Sequence, residues 1–198
     1  MPLILETIVT TLSAEGAMHL VPFGLIRDGE DFVLAPFRPS PTITNLAERP
    51  YFCASAPSDV RVIAGIVTGR RDWPVVDCDR IPGKRLADCF GHAEFEVASI
   101  AEDETRPRYR GRMVHAQSHV PFIGYNRAQA AVIEAAILST RLHMLEPEKV
   151  LTEMAYHAIA IEKTAGPAER EAWDWIEDKV AAALGRSERV LKDVGRPA

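Results

Sequence analysis

Hydrophobic and polar positions along the chain fall into two regimes, short β-like runs first and longer helical stripes afterwards. Residues 3 to 12 read Leu-Ile-Leu-Glu-Thr-Ile-Val-Thr-Thr-Leu, and their β-branched content predicts a strand that carries Thr7, Thr10 and Thr11. Ser13-Ala14-Glu15-Gly16 turns the chain into a second run, 19–26, and Arg27-Asp28-Gly29-Glu30 turns it again, with Asp-Gly as the hairpin signal. A third strand over 31–36 completes an antiparallel meander. Further strands are predicted at 51–55, 60–67, 92–100 and 109–117, about seven in all and enough for a small barrel or sandwich. Residues 68–91 hold Gly69, Pro74, Pro82, Gly83 and Gly91 among mixed charges, which predicts a long connection or flap.

From Asn126 the period changes. Val132, Ile133, Ala136, Ile137 and Leu145 form one helical stripe, with Asn126 as its N-cap and Pro147 marking its end. A second helix is predicted over 149–164, and Pro167 opens a third that carries Trp173, Trp175, Ile176 and Val180. Strands followed by helices give an α+β fold. The expected division is a barrel over 1–120, a helical segment packed on it over 121–186, and a flexible tail over 187–198.

Composition narrows the function classes. A chain of 198 residues with 47% hydrophobic content can bury a real core. With 23 basic against 28 acidic residues and a formal charge of −5, it lacks the basic footprint that nucleic acid would require. No apolar run reaches membrane length and the first residues lack a basic leader, so a cytoplasmic protein without membrane association is expected. Cys53, Cys78 and Cys89 stand at unrelated spacings and read as reduced thiols.

The chemistry concentrates in Arg38-Pro39-Ser40-Pro41-Thr42-Ile43-Thr44-Asn45-Leu46, directly after the third strand. A forked guanidinium, several hydroxyls and an amide within a loop stiffened by two prolines are suited to a phosphate. The same residue types are ordinary turn and cap residues, and Thr44 or Asn45 could cap a short helix ended by Pro50. The two readings are compatible, because a capped helix start is itself an anion site. No nucleophile elbow, glycine-rich phosphate loop or Cys–His pair is present, so no catalytic residue is assigned. His115 and His119 sit four apart in a predicted strand with no HExxH pattern, and Asp77-Cys78-Asp79 lacks a third and fourth ligand nearby in sequence, so no metal is expected. What remains fits a phosphorylated planar cofactor lying against strand backbones.

Glu6-Thr7-Ile8-Val9-Thr10-Thr11, Val21-Pro22-Phe23-Gly24, Pro36-Phe37-Arg38-Pro39-Ser40-Pro41-Thr42 with Asn45-Leu46, and Gly124-Tyr125-Asn126-Arg127-Ala128 running into Thr140-Arg141-Leu142 together resemble the DUF447 proteins. That group is similar to the flavin reductase superfamily, and the resemblance spans roughly residues 3–185 in matching order. It implies an FMN-binding split β-barrel followed by a C-terminal helical segment, and a homodimer with flavin near the subunit interface. By position it implies that Arg38, Ser40, Thr42 and Asn45 hold the FMN phosphate and that Thr7, Thr10 and Thr11 run beside the ring. Asn126 and Arg127 match a motif that either reaches the flavin or anchors the helix. Pro41 and Ile43 depart from the family pattern, in which an aromatic tends to follow the threonine. The implied activity is an FMN-dependent oxidoreductase exchanging hydride with a nicotinamide or pterin-like partner, with a link to tetrahydromethanopterin one-carbon metabolism. The alternatives are a non-catalytic FMN or phosphorylated-ligand binding module and a pterin-pathway biosynthetic enzyme.

Overall fold

The computed structural model of the protein describes residues 2–185; the tail expected over 187–198 lies outside the described residues. The chain divides into two compact units, one made of residues up to Ser58 together with Asp72–Phe122, the other of Asp59–Arg71 together with the chain from Ile123.

The first unit is a six-stranded closed barrel. Strand β1 (Leu3–Leu12) pairs antiparallel with β2 (Met18–Asp28), β2 with β3 (Asp31–Leu34), and β3 with β8 (Arg108–Ser118). Strand β8 pairs with β7 (Cys89–Ala101), β7 with β4 (Tyr51–Pro57), and β4 closes the ring on β1. The Asp28-Gly29-Glu30 turn forms as its residues predict, with Gly29 at a φ of 65°, which a side chain would resist. Helix α1 (Pro41–Glu48) follows β3, and a two-stranded ribbon of β5 (Val75–Asp77) and β6 (Lys84–Leu86) interrupts the path from β4 to β7. The stretch expected over 68–91 as a long connection or flap therefore contains a short hairpin.

The barrel is filled from within. Val9, Leu25, Leu34, Leu46, Phe52, Ala54, Phe95 and Tyr109 form one buried cluster. Phe52 stacks on Phe95 with ring centroids 4.7 Å apart, and Phe32 meets Phe95 edge-on at 5.3 Å. Gly111 lets these rings in: a Cβ there would lie 2.7 Å from Cζ of Phe52.

The second unit holds α2 (Arg61–Val67), α3 (Arg127–Ser139), α4 (Pro147–Thr164) and α5 (Pro167–Ala183), with a 3-10 turn at Leu142–Met144. Two sequence expectations fail here. The strand expected over 60–67 is instead the helix Arg61–Val67, with Val60 as its N-cap. Asp59 accepts the Arg61 backbone N–H at 2.9 Å and Arg61 pairs with both Asp59 and Glu171, while Val62, Ile63, Ala64 and Ile66 are buried. Capping and packing in the helical unit outweigh the β preference of Val and Ile, which is worth under about 1 kcal/mol per residue. The first long helix also stops at Ser139, before Leu145. The Ser139 hydroxyl donates to Ala136 O and the Thr140 hydroxyl to Ile137 O, satisfying last-turn carbonyls within the helix's own end. Pro147 accordingly begins α4, with Pro167 in the same role for α5. Among the described residues no helix is long and apolar enough to cross a membrane.

Candidate functional site

The donor-rich loop becomes the start of α1. Ser40, not Thr44 or Asn45, is the N-cap: its Oγ accepts the Thr42 backbone N–H at 3.2 Å, and Pro41 occupies the first helical position. Pro at that position loses no hydrogen bond, and a Ser cap before it is the favoured pairing. Thr42 is completely buried, yet its hydroxyl has no hydrogen-bond partner among the described residues. Burying such a group without a partner costs about 1–3 kcal/mol, so it marks a place where a ligand atom would be welcome. No acidic side chain stands in the first turn of α1, which leaves the positive end of the helix dipole open to an anion.

Arg38 lies on the same approach but is engaged. Its Nη2 donates to Glu102 at 2.9 Å and its Nε to the Asp103 carbonyl at 3.2 Å. A depression of about 380 Å³ beside it is lined by Glu102, Asp103 and Glu104. That acidic wall would repel a phosphate, so an anion at this end would have to sit on the Ser40–Thr42 side, with Arg38 released from Glu102. The exchange costs little, because the Glu102 side chain is 71% exposed and such pairs contribute at most about 1 kcal/mol.

The other expected residues sit differently. Asn45 donates through Nδ2 to the Thr11 hydroxyl at 2.9 Å, and both are buried, so this pair ties α1 to β1. The Thr7 hydroxyl donates to Phe23 O, and that of Thr10 to the carbonyls of Cys53 and Lys84. The three threonine side chains are thus bonded within the protein. Asn126 and Arg127 belong to the helical unit. Asn126 caps α3 by accepting the Ala128 N–H at 2.7 Å and donates to Thr164 O, while Arg127 is exposed. The helix-anchoring role of Asn126 is therefore visible directly.

A second polar cluster, which sequence spacing did not isolate, lies on the outer face of β7 and β8. His92 and Glu94 alternate onto one face of β7, and Glu94 stands directly opposite His115 on β8. The loop between β5 and β6 brings Asp79 over them. His92 Nε2 lies 3.0 Å from Glu94 Oε1 and 3.3 Å from Asp79 Oδ2, and His115 Nε2 lies 3.6 Å from Asp79 Oδ2. Behind His92, its Nδ1 meets His119 Nε2 at 2.9 Å, the two rings parallel. Glu94 and the His92 side chain are fully buried. Burial pushes the Glu94 carboxyl up, but the backbone N–H groups of Ile81, Asp79 and Arg80 and the His92 ring outweigh it and hold the group ionised below its ordinary range. Beside this cluster the Cys53 thiol is pushed up, first by its hydrogen bond with Cys78 and then by burial, so it stays protonated. The His92-x-Glu94 alternation was legible in the sequence; the register that sets Glu94 against His115 was not. One extra residue on β7, Ala98, is compensated by one on β8, Val114.

Two family models match the sequence: "Protein of unknown function (DUF447) N-terminal domain" over residues 5–120 and "Protein of unknown function (DUF447)" over 126–178. No curated protein matches it. Among solved structures, an FMN-bound DUF447 protein from Methanosarcina mazei is similar with a TM-score of 0.76 at 19% identity, covering 90% of this chain and 96% of that one. The 2-nitrobenzoate 2-nitroreductase of Pseudomonas fluorescens matches with a TM-score of 0.51 at 20% identity, over 60% of this chain and 66% of that one. Component B of the nitrilotriacetate monooxygenase of Bacillus cereus gives 0.51 at 15% identity, over 66% and 78%. The shared feature is the barrel fold, that of the FMN-binding split barrels.

Proposed function

The chain belongs to the DUF447 family, and on that premise we propose that it is an FMN-binding flavoprotein acting as an oxidoreductase, with the FMN phosphate at the start of α1. The observation that carries this reading is the buried, partnerless Thr42 hydroxyl in the first turn of a helix capped by Ser40. Ser40 and Thr42 would offer hydroxyl donors, the helix start its positive end, and Arg38 a forked cation once it leaves Glu102. Asn45, through its bond to Thr11, would hold α1 at a fixed height on β1, so the phosphate site and the strand beside it move as one. When bound, FMN supplies hydride exchange at its N5, with a nicotinamide or pterin-like molecule as the other partner. The chain's own part is to bind, orient and exclude water. In this reading two copies pair, as the family resemblance implies, and exposed Leu3, Ile4 and Leu5 at the start of β1 support that pairing.

The test is spectroscopic. Protein as purified, or mixed with FMN, should show a bound-flavin spectrum at one FMN per chain. Arg38→Ala should weaken binding about tenfold, in keeping with a charge-assisted hydrogen bond partly offset by the loss of Glu102 pairing. Glu102→Gln, which frees the guanidinium, should tighten it. Absence of any spectral change on adding FMN would overturn the reading. Rapid mixing with NADH, NADPH and a reduced pterin then tests turnover, and flavin that stays oxidised with all of them would leave a binding module in place of an oxidoreductase.

A further inference from the structure

The cluster of Asp79, His92, Glu94 and His115 plays no part in the proposed flavin site, and hydrogen bonding satisfies Glu94 and His92 but does not account for the approach of Asp79 and His115. One atom from each residue can be chosen so that all four lie within 4.8 Å of one another. A lone His92 Nε2–H can serve one carboxylate well, yet two converge on it at 3.0 and 3.3 Å. Among the described residues His115 Nε2 is a buried atom with no hydrogen-bond partner, and at 3.6 Å its approach to Asp79 is too long for one. Two carboxylates facing two imidazole nitrogens at these separations form a donor set able to hold a metal ion.

We propose that Asp79, His92, Glu94 and His115 bind a single divalent cation of the zinc class, which pins the β5–β6 ribbon to the barrel wall. Metal–ligand bonds of about 2.0–2.2 Å in a tetrahedral site place neighbouring ligand atoms roughly 3.3–3.5 Å apart, and the His92–Glu94, His92–Asp79 and His115–Asp79 separations of 3.0, 3.3 and 3.6 Å bracket that value. The outer partners are also in place. With metal on Nε2, His92 donates its Nδ1–H to His119, the second bond by which ligating histidines are oriented. Glu94 is held by three backbone N–H groups from Asp79, Arg80 and Ile81, so the residues that fix this carboxylate also carry the Asp79 ligand. Mixed imidazole and carboxylate donors favour zinc over the hard cations calcium and magnesium, which take oxygen ligands. Four protein ligands leave no open position, so the ion is structural.

Elemental analysis of the full chain, after chelation and reloading with zinc alone, should find one zinc per chain. X-ray absorption should show only nitrogen and oxygen neighbours, and zinc should slow amide exchange in residues 75–86. Asp79 and His115 are the more exposed ligands, so the Asp79→Asn, His115→Gln double variant should keep its circular dichroism and lose the zinc. No bound zinc in the parent protein, or stoichiometric zinc retained by the double variant, would overturn the proposal. A sulfur neighbour in the absorption spectrum would do the same, since it would put the metal on the cysteines.

Discussion

The residue that separates ligand binding from folding most cleanly is Thr42. Its hydroxyl is buried and unpaired, so replacing it with Val removes a desolvated group while keeping the shape of the side chain. Thr42→Val should leave the ligand-free protein as stable as the parent or up to about 1 kcal/mol more stable. The same change should weaken FMN binding, because one donor to the phosphate is gone. Thermal unfolding with and without FMN measures both effects, and a loss of stability without ligand would mean the hydroxyl has a partner inside the protein. Ser40 behaves differently: as the N-cap it contributes about 1 kcal/mol to α1 itself, so a Ser40→Ala change mixes the two effects. The sequence offers Ser40 and Thr42 alike as phosphate donors and puts the cap at Thr44 or Asn45; that the cap falls on Ser40, and that Thr42 lacks a partner, emerges only in the fold. Turn chemistry is local, whereas the absence of a partner around Thr42 is a property of everything packed about it.

At the scale of elements, the turn between β7 and β8 governs where Arg38 points. Asp103 accepts the backbone N–H groups of Thr105 and Arg106, and Thr105 O accepts the backbone N–H of Arg38. The bonds from Arg106 and then Thr105 hold the Asp103 carboxyl below its usual range. A carboxylate with a lowered folded pKa contributes order above its unfolded value, about 3.9, and loses it as pH falls through the lower folded value. Acid titration should therefore loosen this turn, seen as shifts of the Thr105 and Arg106 amide resonances, in a window below about pH 4. In Asp103→Asn those resonances should already be displaced at neutral pH and stay level through the same window. The helix over 61–67 carries the opposite lesson. Its Val and Ile content predicts a strand, and it is a helix because Asp59, Glu171 and the neighbouring helices satisfy it as one. Information that lies a hundred residues away along the chain is not available to local propensity.

For the whole molecule, self-association is the expectation with the clearest readout. Leu3, Ile4 and Leu5 are 55%, 49% and 41% exposed, a run of apolar surface that a second copy would cover. Light scattering should give twice the chain mass, and Leu3→Glu with Leu5→Lys should reduce it to the single chain without unfolding the barrel. A parent protein already at single-chain mass would reject the pairing. The sequence by itself determined the α+β order, most of the barrel strands, the hairpin turns and the polar loop after β3, because each rests on the period of neighbouring residues or on the φ preferences of Gly and Pro. Tertiary structure alone decided that 61–67 coils, that Arg38 faces Glu102, and that Asp79, His92, Glu94 and His115 converge. Those outcomes depend on strand register, on two compensating bulges and on a loop folding back over a sheet, and such long-range closures leave no periodic mark in the chain that makes them.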